Sequence, residues 1–449
     1  MRERQLEGKD SEIRRIEMEE VENAKVKGKE FRGFRLELLD VTKLALLRPD
    51  GHPGAYMNPF PFANGVPKYI LTGFQIRFND FPYICLIKAK IEILKIIYEK
   101  PCDYSNGKWV RDKRGPLYNG TTCAMIKESQ NCIINGRNDT SYLYWRWKPS
   151  DCHLPRFEPN IFLQLTKNRH VAFVGDSLAR NQIESLLCML ATVSTPKRVH
   201  HKGSNKWHFS SQNASLSFYW SPFLVQGVQR SSTGPPHNII HLDLVNEKWA
   251  KEVDQMDLLV LSFGNWLLVP SVYYEGDKVI GCLNCTGLNY TDIGFYGPFR
   301  KALRTTLNSI IERIQGKGND IHVIVRTFSP SHFEGDWDKG GTCSKTKPYR
   351  KGKMQLGEVD AEIRKIEMEE VENFAMSRAK QLRGFRLEAL DVTELALLRP
   401  DGHPGAYMNP FPFANGVPEN VQNDCVHWCL PGPIDTWNDI FLEMVKRWS

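Results

Sequence analysis

Three residues have the types and setting that acyl chemistry needs. Ser177 stands in HVAFVGDSLARNQ (170–182), where an apolar run gives way to a polar, helix-like segment. Asp424 and His427 stand in DCVHWCLPGPIDTWN (424–438). A histidine can take the proton from a serine hydroxyl, and a carboxylate can orient the imidazole and stabilise its charged form. Asp424 and His427 are three positions apart, so one turn brings them to one side. A serine at the carboxyl end of a strand lies where α/β sheets bind ligands. The free N–H groups and positive end of the following helix would favour a developing oxyanion there. Helix N-cap is the plainer role for such a serine, and GDS alone favours it. The DCVH stretch shifts the balance, although a satisfied core His427 capped by Asp424 is the bland alternative.

An oxyanion needs preorganised donors. The Ser177 N–H is one candidate. LSFGNW (261–266) offers the Gly264 N–H and the Asn265 amide, and Arg180 lies one turn beyond Ser177. Trp428 and Trp437 are candidates to wall the site or hold a sugar ring. Cys425 and Cys429 bracket His427 and would fix it rigidly. Cys282, Cys285, Cys425, His427 and Cys429 are also zinc-ligand types. In an oxidising compartment such thiols form disulfides instead, so no metal is expected.

These residues need a sheet to hold them. Short apolar runs at 170–174, 257–263 and 321–327 predict strands buried on both faces, as in a parallel sheet. Helices are expected at 178–190 and 299–314; Leu303, Leu307, Ile310, Ile311 and Ile314 share one face of the second. A charged amphipathic helix over 358–380 and a strand over 385–392 follow. The alternation argues a layered α/β domain covering 154–449. Residues 101–153, rich in Cys, Trp and Tyr, read as a disulfide-stapled cap.

The 449 residues are of ordinary apolar content, and the net charge of +7 carries no concentrated basic stripe, so nucleic acid is not an expected partner. Lys345, Lys347, Arg350, Lys351 and Lys353 read as a solvated loop. No apolar window is long enough to cross a membrane, and MRERQLEGKDSEIRR is too charged for a signal peptide. Against that, eleven cysteines and sequons at Asn119, Asn138, Asn213, Asn284 and Asn289 point to the secretory pathway.

An internal repeat accounts for the conflict. Residues 11–23 (SEIRRIEMEEVEN) return as 361–373 (AEIRKIEMEEVEN), and 32–67 return almost letter for letter as 383–418. Two near-identical copies far apart look like a recent duplication or fused gene models rather than a solenoid. Only the second copy leads to DCVH. Residues 1–100 are therefore expected to be an appended segment, not an independent domain. Setting aside Cys85 leaves ten cysteines, an even set suited to disulfides.

GDS after an apolar strand, with DCVHWCLPGPIDTWN near the C-terminus, resembles the plant trichome birefringence-like family of polysaccharide O-acetyltransferases. CDYSNGKWV (102–110) and WRWKPSDCHLPRF (145–157) are similar to that family's Cys-rich N-terminal module. Within the family the chain is most similar to the xyloglucan O-acetyltransferase branch. The resemblance implies an SGNH-hydrolase-like α/β/α sandwich and a Ser–His–Asp triad of Ser177, His427 and Asp424. It also implies a Golgi type II membrane protein, although no anchor is readable here. Carried to matching cysteines, it implies Cys102–Cys152 and Cys123–Cys188 disulfides, with Cys132 expected free. The pairing of Cys282, Cys285, Cys343, Cys425 and Cys429 stays open.

The expected function is acetyl transfer to hydroxyls of a cell-wall polysaccharide through an acetyl-serine intermediate, with an acetyl donor as co-substrate and no bound cofactor. An esterase using the same three residues with water is the alternative enzyme. A polysaccharide-binding protein with Trp145, Trp147, Trp428 and Trp437 as a sugar platform is the non-enzyme alternative.

Overall fold

A computed structural model describes residues 102–201, 204–315, 320–337, 339–377, 384–416 and 421–448. The expectations for residues 1–100 lie outside the described residues. Cys102–Ser449 forms one compact unit.

It begins with strands β1 (Gly107–Arg111) and β2 (Trp145–Pro149), which pair antiparallel. Helix α1 (Pro159–Leu165), strand β3 (His170–Gly175) and helix α2 (Ser177–Ala191) follow. Strands β4 (Lys197–His201), β5 (Ser204–Phe209) and β6 (Ala214–Trp220) come next. Then come β7 (Val225–Val228), β8 (Asn238–Val245), the short helix α3 (Glu247–Ala250) and β9 (Leu258–Ser262). The hairpin of β10 (Ser271–Glu275) and β11 (Lys278–Leu283) precedes helix α4 (Tyr296–Ile314). The chain ends through β12 (Ile321–Arg326), α5 (Glu358–Ser377), β13 (Phe385–Leu390), α6 (Thr393–Leu397) and α7 (Asp435–Lys446).

The main sheet has seven strands in the order β13-β12-β9-β3-β6-β5-β4. Strands β13 through β6 run parallel, while β5 and β4 are antiparallel additions at one edge. The expected parallel sheet is therefore mixed. A second sheet orders β11-β10-β8-β7.

Alternate residues of the central strands feed two cores. Val171, Phe173, Leu258, Val260 and Ile324 pack with α2, α7 and the N-terminal module. Ala172, Val174, Leu259, Leu261, Val323 and Val325 pack with α4, α5 and the second sheet. A strand that buries both faces cannot alternate apolar with polar, which is why these strands read as continuous apolar runs.

Five disulfides occur among the described residues. They join Cys102–Cys152, Cys123–Cys188, Cys132–Cys429, Cys282–Cys285 and Cys343–Cys425. Cys132 is not free. Its partner lies beyond β13, 297 positions away, and no local spacing reveals it. The zinc alternative loses its sulfur ligands, since Cys282, Cys285, Cys425 and Cys429 are all paired. The Lys345–Lys353 stretch is a loop, with Lys345 2.8 Å from Glu334. The five sequon asparagines are all exposed.

Candidate active site

Strand β3 ends on Gly175, which no other residue could replace without moving its neighbour. A Cβ there would overlap the Ser262 carbonyl of β9, and its φ is +155°. That close approach lets the Asp176 N–H donate to the same carbonyl at 3.1 Å. Asp176 then adopts extended backbone and caps α2, its Oδ1 accepting the Leu178 N–H at 3.0 Å. Ser177 is the first residue of the helix, half-buried. The cap reading for Ser177 is thus corrected: Asp176 does that work, leaving the Ser177 side chain without it.

Asp176 is fully buried. Burial pushes its carboxyl above the ordinary range, against the nearby Arg326 charge. Arg326, itself buried, donates to the Thr327 carbonyl at 2.7 Å and to the Ser262 hydroxyl. It is a charged support under the Ser177 turn. The sequence pattern missed it because it ends an otherwise apolar strand.

Asp424 and His427 meet in one tight turn. Asp424 Oδ1 accepts the backbone N–H groups of Val426 (3.1 Å) and His427 (2.9 Å), while Oδ2 lies 2.8 Å from His427 Nδ1. Burial opposes ionisation of Asp424, but the His427 charge and these hydrogen bonds outweigh it and hold the carboxyl well below the usual range. With Nδ1 held, Nε2 is the nitrogen left for proton transfer, and it is buried with no hydrogen-bond partner among the described residues, Ser177 included. The backbone of the turn is fixed from both sides. Gly405 and Asp424 exchange N–H···O bonds of 2.9 and 3.1 Å, and Cys425 is tied to Cys343.

Helix α2 joins the two halves. Asn181, one turn beyond Ser177, accepts the Trp428 N–H at 2.8 Å and donates to the Trp428 carbonyl at 3.2 Å. The helix that begins at Ser177 therefore holds the residue next to His427.

Sequence reasoning also missed a pair of buried histidines behind His427. His403 Nδ1 lies 2.7 Å from the His427 carbonyl. His403 Nε2 is 2.7 Å from His332 Nδ1, and His332 Nε2 is 2.8 Å from the Leu397 carbonyl. Burial lowers both imidazoles; the neighbouring His332 lowers His403 further, whereas the Leu397 bond partly offsets the shift in His332. His403 belongs to the repeated segment, and only its link to His427 distinguishes it.

The remaining candidates divide. The Asn265 amide reaches toward Asp176 Oδ2 at 3.5 Å, beside the Ser177 turn. Gly264 precedes the short turn at 265–267, with φ +139°. Arg180 directs its guanidinium toward Glu184 (3.7 Å) and the Trp220 ring (6.0 Å). Trp428 is wholly buried, stacked on His403 with ring centroids 4.2 Å apart. Trp437 and Trp147 are buried as well, and Trp145 carries the Arg111 guanidinium 4.3 Å from its ring. Trp428 and Trp437 thus cannot hold a sugar, and the four tryptophans form no platform: Trp147, Trp428 and Trp437 are core residues, and half-buried Trp145 packs against that core.

The GDSL/SGNH-like acyl-esterase family found in Pmr5 and Cas1p (PC-esterase) matches residues 1–70 and 154–444, and the PMR5 N-terminal domain matches 100–153. Xyloglucan O-acetyltransferase 1 of Populus trichocarpa is 62% identical over 398 residues, 88% of this chain and 90% of that protein. Xyloglucan O-acetyltransferase 1 of Arabidopsis thaliana is 52% identical, over 79% of this chain and 82% of its own length. Protein trichome birefringence-like 26 of Arabidopsis thaliana is 43% identical over 76% of each chain. With that extent of match, this chain belongs to the PC-esterase family of GDSL/SGNH-like acyl-esterases.

Proposed function

We propose that the protein transfers acetyl groups to hydroxyls of xyloglucan, with Ser177 as nucleophile, His427 as general base and Asp424 as the group that orients His427. The observation that carries this is the Asp424–His427 contact of 2.8 Å, clamped through Asn181 to the helix that starts at Ser177. The substrate class rests on the names of relatives up to 62% identical.

In the first step Ser177 Oγ attacks the carbonyl carbon of an acetyl donor while His427 Nε2 takes its proton. The tetrahedral oxyanion is met by the Ser177 N–H, with the Gly264 N–H and Asn265 amide as further donors. The donor's leaving group departs with the proton from His427, leaving acetyl-Ser177. In the second step His427 removes a proton from a sugar hydroxyl, whose oxygen attacks the acetyl carbon; the bond between Ser177 Oγ and the acetyl group breaks as His427 returns the proton to Oγ. The scheme needs no bound cofactor.

A Golgi lumenal location is part of the proposal, supported by five disulfides and the exposed sequons. The test between transferase and esterase supplies an acetylated oligosaccharide and follows free acetate. Acetyl passed to a second, unacetylated oligosaccharide supports transfer; stoichiometric release of acetate to water contradicts it.

A further inference from the structure

A cavity of about 320 Å³ adjoins Asp424 and has no part in the chemistry described above. Its size is at the lower end for a small-ligand site. Tyr407 and Phe413 form one wall, ring centroids 5.7 Å apart and edge-on, and Phe413 is 41% exposed. Asp139, Lys345 and Asn423 supply polar groups around the aromatic wall. Burial opposes ionisation of Asp139, but the Ser141 hydrogen bonds and the Arg137 charge hold it in its charged form. An aromatic face beside a carboxylate, an ammonium and an amide suits a sugar, which offers a C–H face and a rim of hydroxyls.

The cavity keeps a fixed place relative to His427. Its Gly405 pairs with Asp424 through the backbone, and its Cys343 is bonded to Cys425. Asp424 holds the Nδ1 side of His427. A ligand here therefore lies beside the turn that carries Asp424, while His427 itself does not line the cavity. Ser177 does not line it either, so a sugar held in it is a different one from the sugar that receives the acetyl group.

We propose that this cavity binds a sugar residue of the acceptor polysaccharide further along the chain from the acetylated sugar. The inference rests on the acetyl-transfer reading above. It makes Phe413 and Asp139 determinants of acceptor length rather than catalytic residues.

The test uses the full chain, unsubstituted and as Phe413→Ala, Phe413→Tyr and Asp139→Asn, each checked for an unchanged melting temperature. Acetyl-Ser177 formation from para-nitrophenyl acetate is measured without acceptor. KM and kcat are then measured with a short xyloglucan oligosaccharide and with one several sugars longer. Phe413→Ala should leave acetyl-enzyme formation and kcat unchanged and raise KM for the longer acceptor about tenfold. Phe413→Tyr should restore it, Asp139→Asn should raise it less, and KM for the short acceptor should not move. An unchanged KM for the longer acceptor, or equal rises for both acceptors, would overturn the proposal. If the unsubstituted chain forms no acetyl-serine, that failure belongs to the mechanism. Calorimetric binding of the longer oligosaccharide to the unsubstituted and Phe413→Ala chains then decides the cavity, equal affinities overturning it.

Discussion

Asn181 holds Trp428 by both of its backbone groups, accepting its N–H at 2.8 Å and donating to its carbonyl at 3.2 Å. Trp428 is wholly buried, so no water can replace either bond. Asn181→Ala should cost about 1–3 kcal/mol for each group left unpaired. It should also lower acetyl transfer by more than the loss of folded protein explains, because His427 is the neighbouring residue. Urea unfolding and specific activity, measured on the same preparation, check both effects.

The pH dependence of stability follows from carboxyls that burial raises, Asp360 to about 6 and Glu184 to about 7 among them. Burial raises Asp435 to about 6, Asp439 to about 7 and Glu367 to about 8. An acid whose folded value lies above its unfolded value binds more protons in the folded state. Stability therefore falls as pH rises from the unfolded value toward the folded one. An unfolded histidine has lost about half its proton at about pH 6.5 and nearly all of it by about pH 7.5, so the opposition from buried histidines fades across this range. The melting temperature should fall between about pH 6.5 and 8.5. Asp439→Asn keeps the bond that Asp439 Oδ1 accepts from the Phe157 N–H and should make the fall shallower. Thermal scans across that range check it; an identical slope in the variant would contradict it.

The Cys132–Cys429 bridge ties the N-terminal module to the stretch that carries His427. Cys132→Ser should lower stability by about 2–5 kcal/mol. It should reduce transfer more than loss of the Cys282–Cys285 bridge, which closes only a local loop. Melting temperature and activity of the two variants in parallel give the answer.

The repeat leads to a separate expectation. Residues 102–449 contain Ser177, Asn181, His403, Asp424 and His427 and form a compact unit. The first copy has His52 where the second has His403, but it leads to no DCVH stretch. A chain of residues 102–449 should fold and transfer acetyl at least as well as the full chain. Soluble yield and rate, side by side, test this; an inactive shorter chain would make residues 1–101 part of the functional fold.

How much of this was legible in the sequence depended on where each residue packs. The central strands β3, β9 and β12 were readable because burial on both faces demands unbroken apolar runs. The hairpin strands β4 and β5 and the second sheet carry polar residues on an open face and left no such mark. The Asp424–His427 pair was readable because three positions bring the side chains together locally. Asn181 looked like an ordinary polar helix residue, since its partner Trp428 is 247 positions away. Trp428 was misread because adjacency to His427 in sequence says nothing of which way an indole turns. Here it turns inward against His403.

The central claim is that acetyl passes through Ser177. The direct measurement is intact-protein and peptide mass spectrometry after mixing the folded chain with para-nitrophenyl acetate, before and after adding a xyloglucan oligosaccharide. One acetyl group should appear on the peptide containing Ser177. That group should disappear as acetylated oligosaccharide forms, and both signals should be missing in a folded Ser177→Ala chain. Acetylated oligosaccharide produced at an undiminished rate by Ser177→Ala would contradict it.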